Sequence, residues 1–198
     1  MALTFENLPL PAHIRPAQPM TDEEIMRFSA ENAGVRIERE PNGDILVMTP
    51  TGSEGSGMNS EINADLTIWA RQDGRGKVFD SNGGFTLPDG SMRAADAAWL
   101  LLSHWNKLTL ADQKRFAPIC PDFVIELRSP SDNLPDLQAK MDQWIANGDD
   151  TAWLIDPIEK TIHIYRPGQS PEVHNHPTSV QGSGIIAGFE LVMERIWQ

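Results

Sequence analysis

The sequence predicts a mixed α/β or α+β domain. Three observations point there: a β-hairpin signal around Pro41-Asn-Gly43, an amphipathic helix over 58–71, and a strand–turn–helix–strand–strand series over 121–165. At 198 residues the chain is long enough to bury a substantial core.

The elements follow in order. Residues 1–20 carry Pro9, Pro11, Pro16 and Pro19, with no basic stretch leading into an apolar one. They read as an extended, loosely held arm rather than a signal peptide, preceding one domain over 21–198. Thr21 or Asp22 caps a short helix to Asn32, with Glu23 and Glu24 in the first turn, where the helix dipole favours negative charge. Val35–Arg39 and Asp44–Met48 flank the Asn-Gly turn, whose residues tolerate positive φ. Residues 51–57 are rich in Gly and Ser and read as a loop.

Met58, Ile62, Leu66 and Trp69 then recur at helical spacing. Short strands are expected at 77–80 and 84–87. Residues 93–102 form an apolar strand interrupted by a single carboxylate, Asp96, and 109–116 a short helix or turn.

The densest information lies in 121–165. Asp122 to Arg128 reads as a strand with Glu126 inside it. Leu134, Leu137, Met141 and Trp144 form the buried stripe of the next helix, with Pro135 tolerated in the first turn and Asn147-Gly148 as a stop. Strands at 153–156 and 162–165 follow.

Composition excludes several classes. No apolar run reaches the roughly 18 residues that span a bilayer. One cysteine, Cys120, permits no internal disulfide, so a cytoplasmic location is expected. The net charge of −12 opposes non-specific nucleic-acid binding, which depends on Lys and Arg neutralising phosphates.

Glu126 in an apolar strand costs several kcal/mol, to order of magnitude, if left unpaired. A divalent metal, a cationic side chain or both would compensate it. Asp96 occupies a similar context on another strand. If the two strands pair, their carboxylates converge, because neighbouring strands lie about 5 Å apart. Asp122 shares a strand face with Glu126 but lies roughly 13 Å away, too far to share a small ion. Lys140 sits at the edge of its helix's buried stripe, where its stem packs while its ammonium reaches a neighbouring site. Two acids holding Mg²⁺ beside a lysine suit phosphodiester hydrolysis. The competing reading makes these ordinary surface or capping groups. His174 and His176 supply only two possible ligands, and Trp69, Trp99, Trp144 and Trp153 are assigned to the core.

The block from Pro121 to Asp132, with 137–148, Ala152-Trp-Leu-Ile-Asp-Pro157 and Ile164-Tyr-Arg-Pro167, resembles the Uma family of restriction-endonuclease-like proteins. The segment Ser91-Met-Arg-Ala-Ala-Asp96 matches that family's acidic strand. The resemblance implies the PD-(D/E)XK nuclease fold: an α/β, restriction-endonuclease-like mixed sheet flanked by helices, here with an N-terminal helix and β-hairpin. It implies Asp96 and Glu126 as metal ligands for Mg²⁺ (or Mn²⁺), DNA as substrate, and a homodimer. Arg128 stands where the family's lysine usually is. Arginine is no base, so Lys140 takes the lysine's role, while Arg128 holds phosphate or locks Glu126. Glu61, or failing it Asp65, becomes the acid supplied by the helix over 58–71. Two alternatives remain open: a non-catalytic interaction module retaining the fold, and a metal-dependent hydrolase of small phosphate compounds.

Overall fold

The computed structural model describes residues 10–32 and 34–197. The first nine residues of the expected arm lie outside them. Within its remainder, β1 (Ala12–Ile14) pairs antiparallel with β3 (Ile45–Met48), and Arg15 grips Asp44.

The first helix, α1 (Asp22–Glu31), starts at a Thr21–Glu24 capping box, in which each side chain satisfies the other's backbone N–H. The hairpin forms as expected, with β2 (Arg36–Arg39) against β3. The second helix, α2 (Ser53–Asp73), is longer than its sequence pattern. It absorbs the Gly/Ser stretch from Ser53 onward and closes on Gly74 in the left-handed conformation. Glycine weakens helix propensity, but tertiary packing of an apolar face outweighs propensity in a long helix.

Residues 93–102 are not one strand. Met92–Arg93 (β6) belongs to the N-terminal sheet, with β5 (Phe85–Thr86) on its other side, whereas Ala97–Leu101 (β7) belongs to a second sheet. The chain crosses between sheets at Ala94-Ala95-Asp96. A short helix, α3 (Leu102–Trp105), follows β7, and 109–116 contributes only a single 3₁₀ turn at Asp112–Lys114.

The second sheet runs β11–β10–β9–β8–β7–β4, formed by β4 (Gly76–Asp80), β7, β8 (Phe123–Leu127), β9 (Thr151–Asp156), β10 (Thr161–Tyr165) and β11 (Glu172–Asn175). Only the β8–β9 pair is parallel, and α4 (Leu134–Ala146) makes its crossover. A small hairpin of β12 (Ser179–Gln181) and β13 (Glu190–Val192) completes the chain.

Alternation along the strands divides this sheet into two apolar faces. Phe123, Ile125, Trp99 and Trp153 pack with Ile62, Leu66 and Trp69 of α2 and with Phe189. Val124, Ala98 and Leu154 pack with Met141 and Trp144 of α4. Trp99, Trp144 and Trp153 are fully buried. Glu126 has the parity of Val124, so the pleat turns it toward α4.

Candidate active site

Asp96 immediately precedes β7, and Glu126 is the penultimate residue of β8. The antiparallel register pairs Ala97 with Ile125, which brings the two acids opposite one another at the end of the ladder. Both are buried. Asp96 Oδ2 accepts the backbone N–H of Leu127 at 2.9 Å, so its carboxylate rests on the strand that carries Glu126.

Glu126 Oε1 accepts from the Trp144 indole N–H at 3.0 Å and lies 2.8 Å from Lys140 Nζ. Lys140 and Trp144 are four residues apart on α4, hence on one helix face. The same ammonium lies 3.0 Å from Glu38 Oε1, delivered by β2 of the other sheet. Glu38 also accepts from the Ala94 N–H and from Arg93 Nη1, and Arg93 extends the network to Glu40 and Gln143.

These contacts set the protonation states. Burial pushes Glu126 up to about 7; the nearby Asp96 and Glu38 charges push the same way, against Lys140. Burial also opposes the charge on Glu38, yet Lys140 and Arg93 together hold its carboxyl below the usual range. Lys140 is kept cationic against burial by Glu126 and Glu38.

The outer side of Asp96 has different neighbours. Arg36 Nη1 approaches Oδ1 at 3.4 Å and Asn59 Nδ2 donates to it at 3.2 Å, while Asn63 Nδ2 donates to the Asp96 carbonyl at 3.0 Å. Arg36, Asn59 and Asn63, the residues that contact Asp96, also line an opening of about 490 Å³. Among the described residues, no trio of His, Cys, Asp or Glu side chains converges to hold a metal. The donor chemistry nevertheless suits Mg²⁺. Asn59 Oδ1 is a buried oxygen with no partner beside the Asp96 carboxylate, and Mg²⁺ is commonly held by one or two carboxylates, with water and substrate phosphate completing its shell.

Two expectations need correction. Arg128 does not lock Glu126. Strand β8 ends at Leu127, so alternation does not reach Arg128, whose guanidinium instead pairs with the buried Asp156 at 2.7 Å. Glu61 and Asp65 both turn toward Arg195, at 3.6 and 3.0 Å, away from Asp96. A helix advances about 100° per residue, which puts Glu61 roughly 200° around from Asn59. The helix presents Asn59 and Asn63 to Asp96 instead. Asp122 is spent on the Leu101 N–H and His104. Sequence reasoning missed Glu38; its parity in an amphipathic hairpin gave no sign of burial.

The family model described as "Putative restriction endonuclease", Uma2, matches residues 22–194. The chain belongs to the Uma2 family. None of the curated proteins matches its sequence. A crystal structure from Anabaena variabilis ATCC 29413, described as a putative nuclease belonging to DUF820, is similar at a TM-score of 0.72 and 22% identity, covering 90% of this chain and 98% of that one. At that identity the likeness concerns the fold, and the restriction-endonuclease-like α/β architecture expected from sequence is the one observed.

Proposed function

We propose that this Uma2 chain is a Mg²⁺-dependent endonuclease hydrolysing DNA phosphodiester bonds. The observation that carries the reading is the placement of Asp96, just before β7, opposite Glu126 of β8, with a cationic Lys140 on Glu126. Asp96 and Glu126 would hold the ion, with the Asn59 amide oxygen beside them. Bound there, Mg²⁺ (or Mn²⁺) neutralises phosphate charge and lowers the pKa of water. Lys140 positions the attacking water and stabilises the negative charge that develops on the phosphoryl oxygens. Arg36, at the opening, meets the incoming phosphate in the role expected of Arg128, and arginine's planar fork suits that contact. Trp144 fixes the Glu126 carboxylate through its N–H. The reading extends to a cytoplasmic homodimer.

Cleavage of plasmid and of a single-stranded circle in Mg²⁺ tests the assignment directly. Asp96→Asn and Glu126→Gln should each abolish it, and undiminished cleavage by either variant refutes the site. The internal pairing of both carboxylates also favours a second reading, an interaction module that retains the fold. Calorimetric titration with Mn²⁺ separates the two, because the module binds no ion through Asp96.

A further inference from the structure

The opening lined by Arg36 and Asn59 adjoins a larger groove. Asn63 and Asp80 line both spaces. The second space, about 770 Å³, runs between α2 and β4 and includes Thr67, Arg71, Lys77 and Phe79 in its walls. Asn59, Asn63, Thr67 and Arg71 succeed one another at four-residue steps along one face of α2. From Asn59 to Arg71 the helix rises roughly 18 Å. Opposite this row, β4 is the outermost strand of its sheet, so one backbone edge faces the groove.

The charge of this track contrasts with that of the chain. The whole protein carries −12, yet the charged residues lining the two spaces are Arg36, Arg71 and Lys77 against Asp80 alone. Elsewhere Arg15, Arg39, Arg93, Arg128, Arg166 and Arg195 each hold a carboxylate, as Arg36 holds Asp96 within the track. Arg71 and Lys77 are exposed and have no carboxylate partner among the described residues. Lys77 instead lies over aromatic faces, 4.6 Å from the Trp105 ring centroid and 5.5 Å from that of Phe79.

We infer that this groove binds a single strand of nucleic acid and leads its backbone past Lys77 and Arg71 to Arg36 and Asp96. The inference deepens the nuclease reading and rests on it. A lone strand is the occupant that fits. Its successive phosphates meet the few unpaired cations, Arg71 and Lys77. A duplex presents about one charge per 1.7 Å of axis across both strands, and its second strand would face the acidic remainder of the surface.

The test is fluorescence anisotropy of a short labelled oligothymidylate, and of a hairpin duplex, with the full chain in chelating buffer across a salt series. Wild type binds the single strand more tightly than the duplex. The double variant Arg71→Ala/Lys77→Ala weakens binding, and its slope of log affinity against log salt is shallower by about 1.4, the share of two phosphates on a single strand. Arg27→Ala/Lys114→Ala, which removes two exposed cations outside the groove, binds as wild type. Tighter duplex binding, an unchanged salt slope in the double variant, or no oligothymidylate binding by wild type each overturns the inference. Metal is absent from this measurement, so it fails independently of the nuclease reading, which fails instead on Asp96-independent cleavage or Mn²⁺ binding.

Discussion

Replacing Lys140 with Met tests the charge network at its centre. The ammonium lies 2.8 Å from Glu126 and 3.0 Å from Glu38, and the three side chains are 16%, 5% and 3% exposed. Methionine keeps the unbranched stem but leaves two buried carboxylates short of a cation. Removing one partner of a buried ion pair costs about 3–5 kcal/mol. Two features favour the lower end. Glu126 already lies near 7, so it can shed its charge by protonation. Glu38 retains Arg93. The expected loss is therefore about 3 kcal/mol. With an unfolding entropy of about 2.1 cal/mol/K per residue, this lowers Tm by about 7 °C. Urea unfolding followed by tryptophan fluorescence reads the loss in stability directly, since Trp144 packs within the network. Adding Glu126→Gln to Lys140→Met removes one stranded charge and should recover about 1 kcal/mol or more. A loss below about 1 kcal/mol for Lys140→Met refutes the reasoning, because it would mean that the ammonium stands in solvent rather than between the two acids.

Two further outcomes follow from other sites. Burial, together with the Asp122 and Asp150 charges, holds the Asp149 carboxyl well above its usual value, against the Thr151 N–H. The folded chain therefore keeps a proton that the unfolded chain releases above about pH 4, so this group makes stability fall as pH rises from there toward its folded value. Asp149→Asn should gain on wild type between pH 4 and pH 7 in denaturant titrations, and a pH-independent difference would contradict the burial argument. Gly76→Ala places a Cβ against the indole of the fully buried Trp99; calorimetry should register a loss of about 2 kcal/mol or more, and a wild-type Tm would show that the ring moves aside freely.

Much of the fold was legible because it is written in short-range patterns. The Asn-Gly turn, the Thr21 cap and the apolar stripes of α2 and α4 each depend on residues within a few positions. The α2 start was misread since glycine and serine weigh against helix locally, while the burial that overrides them comes from strands distant in sequence. The break at Ala94–Asp96 was hidden for a related reason: an apolar run records burial but not which sheet buries it. The same holds for Trp144, legible as a core residue but not as the donor to Glu126.

By itself, the sequence determined that two acids sit in apolar segments, that a lysine borders a buried helical stripe, and that the 121–165 block has the Uma-family pattern. Periodicity and burial cost are local quantities, and they sufficed for that. Only the tertiary structure decided that Glu38, 102 positions before Lys140 in the chain, shares its ammonium, that α2 offers asparagines rather than Glu61 to Asp96, and that Arg128 belongs to Asp156. Coulombic pairing falls off with distance in space and takes no account of distance along the chain, so the partner of a buried charge is fixed only when the sheets and helices have packed.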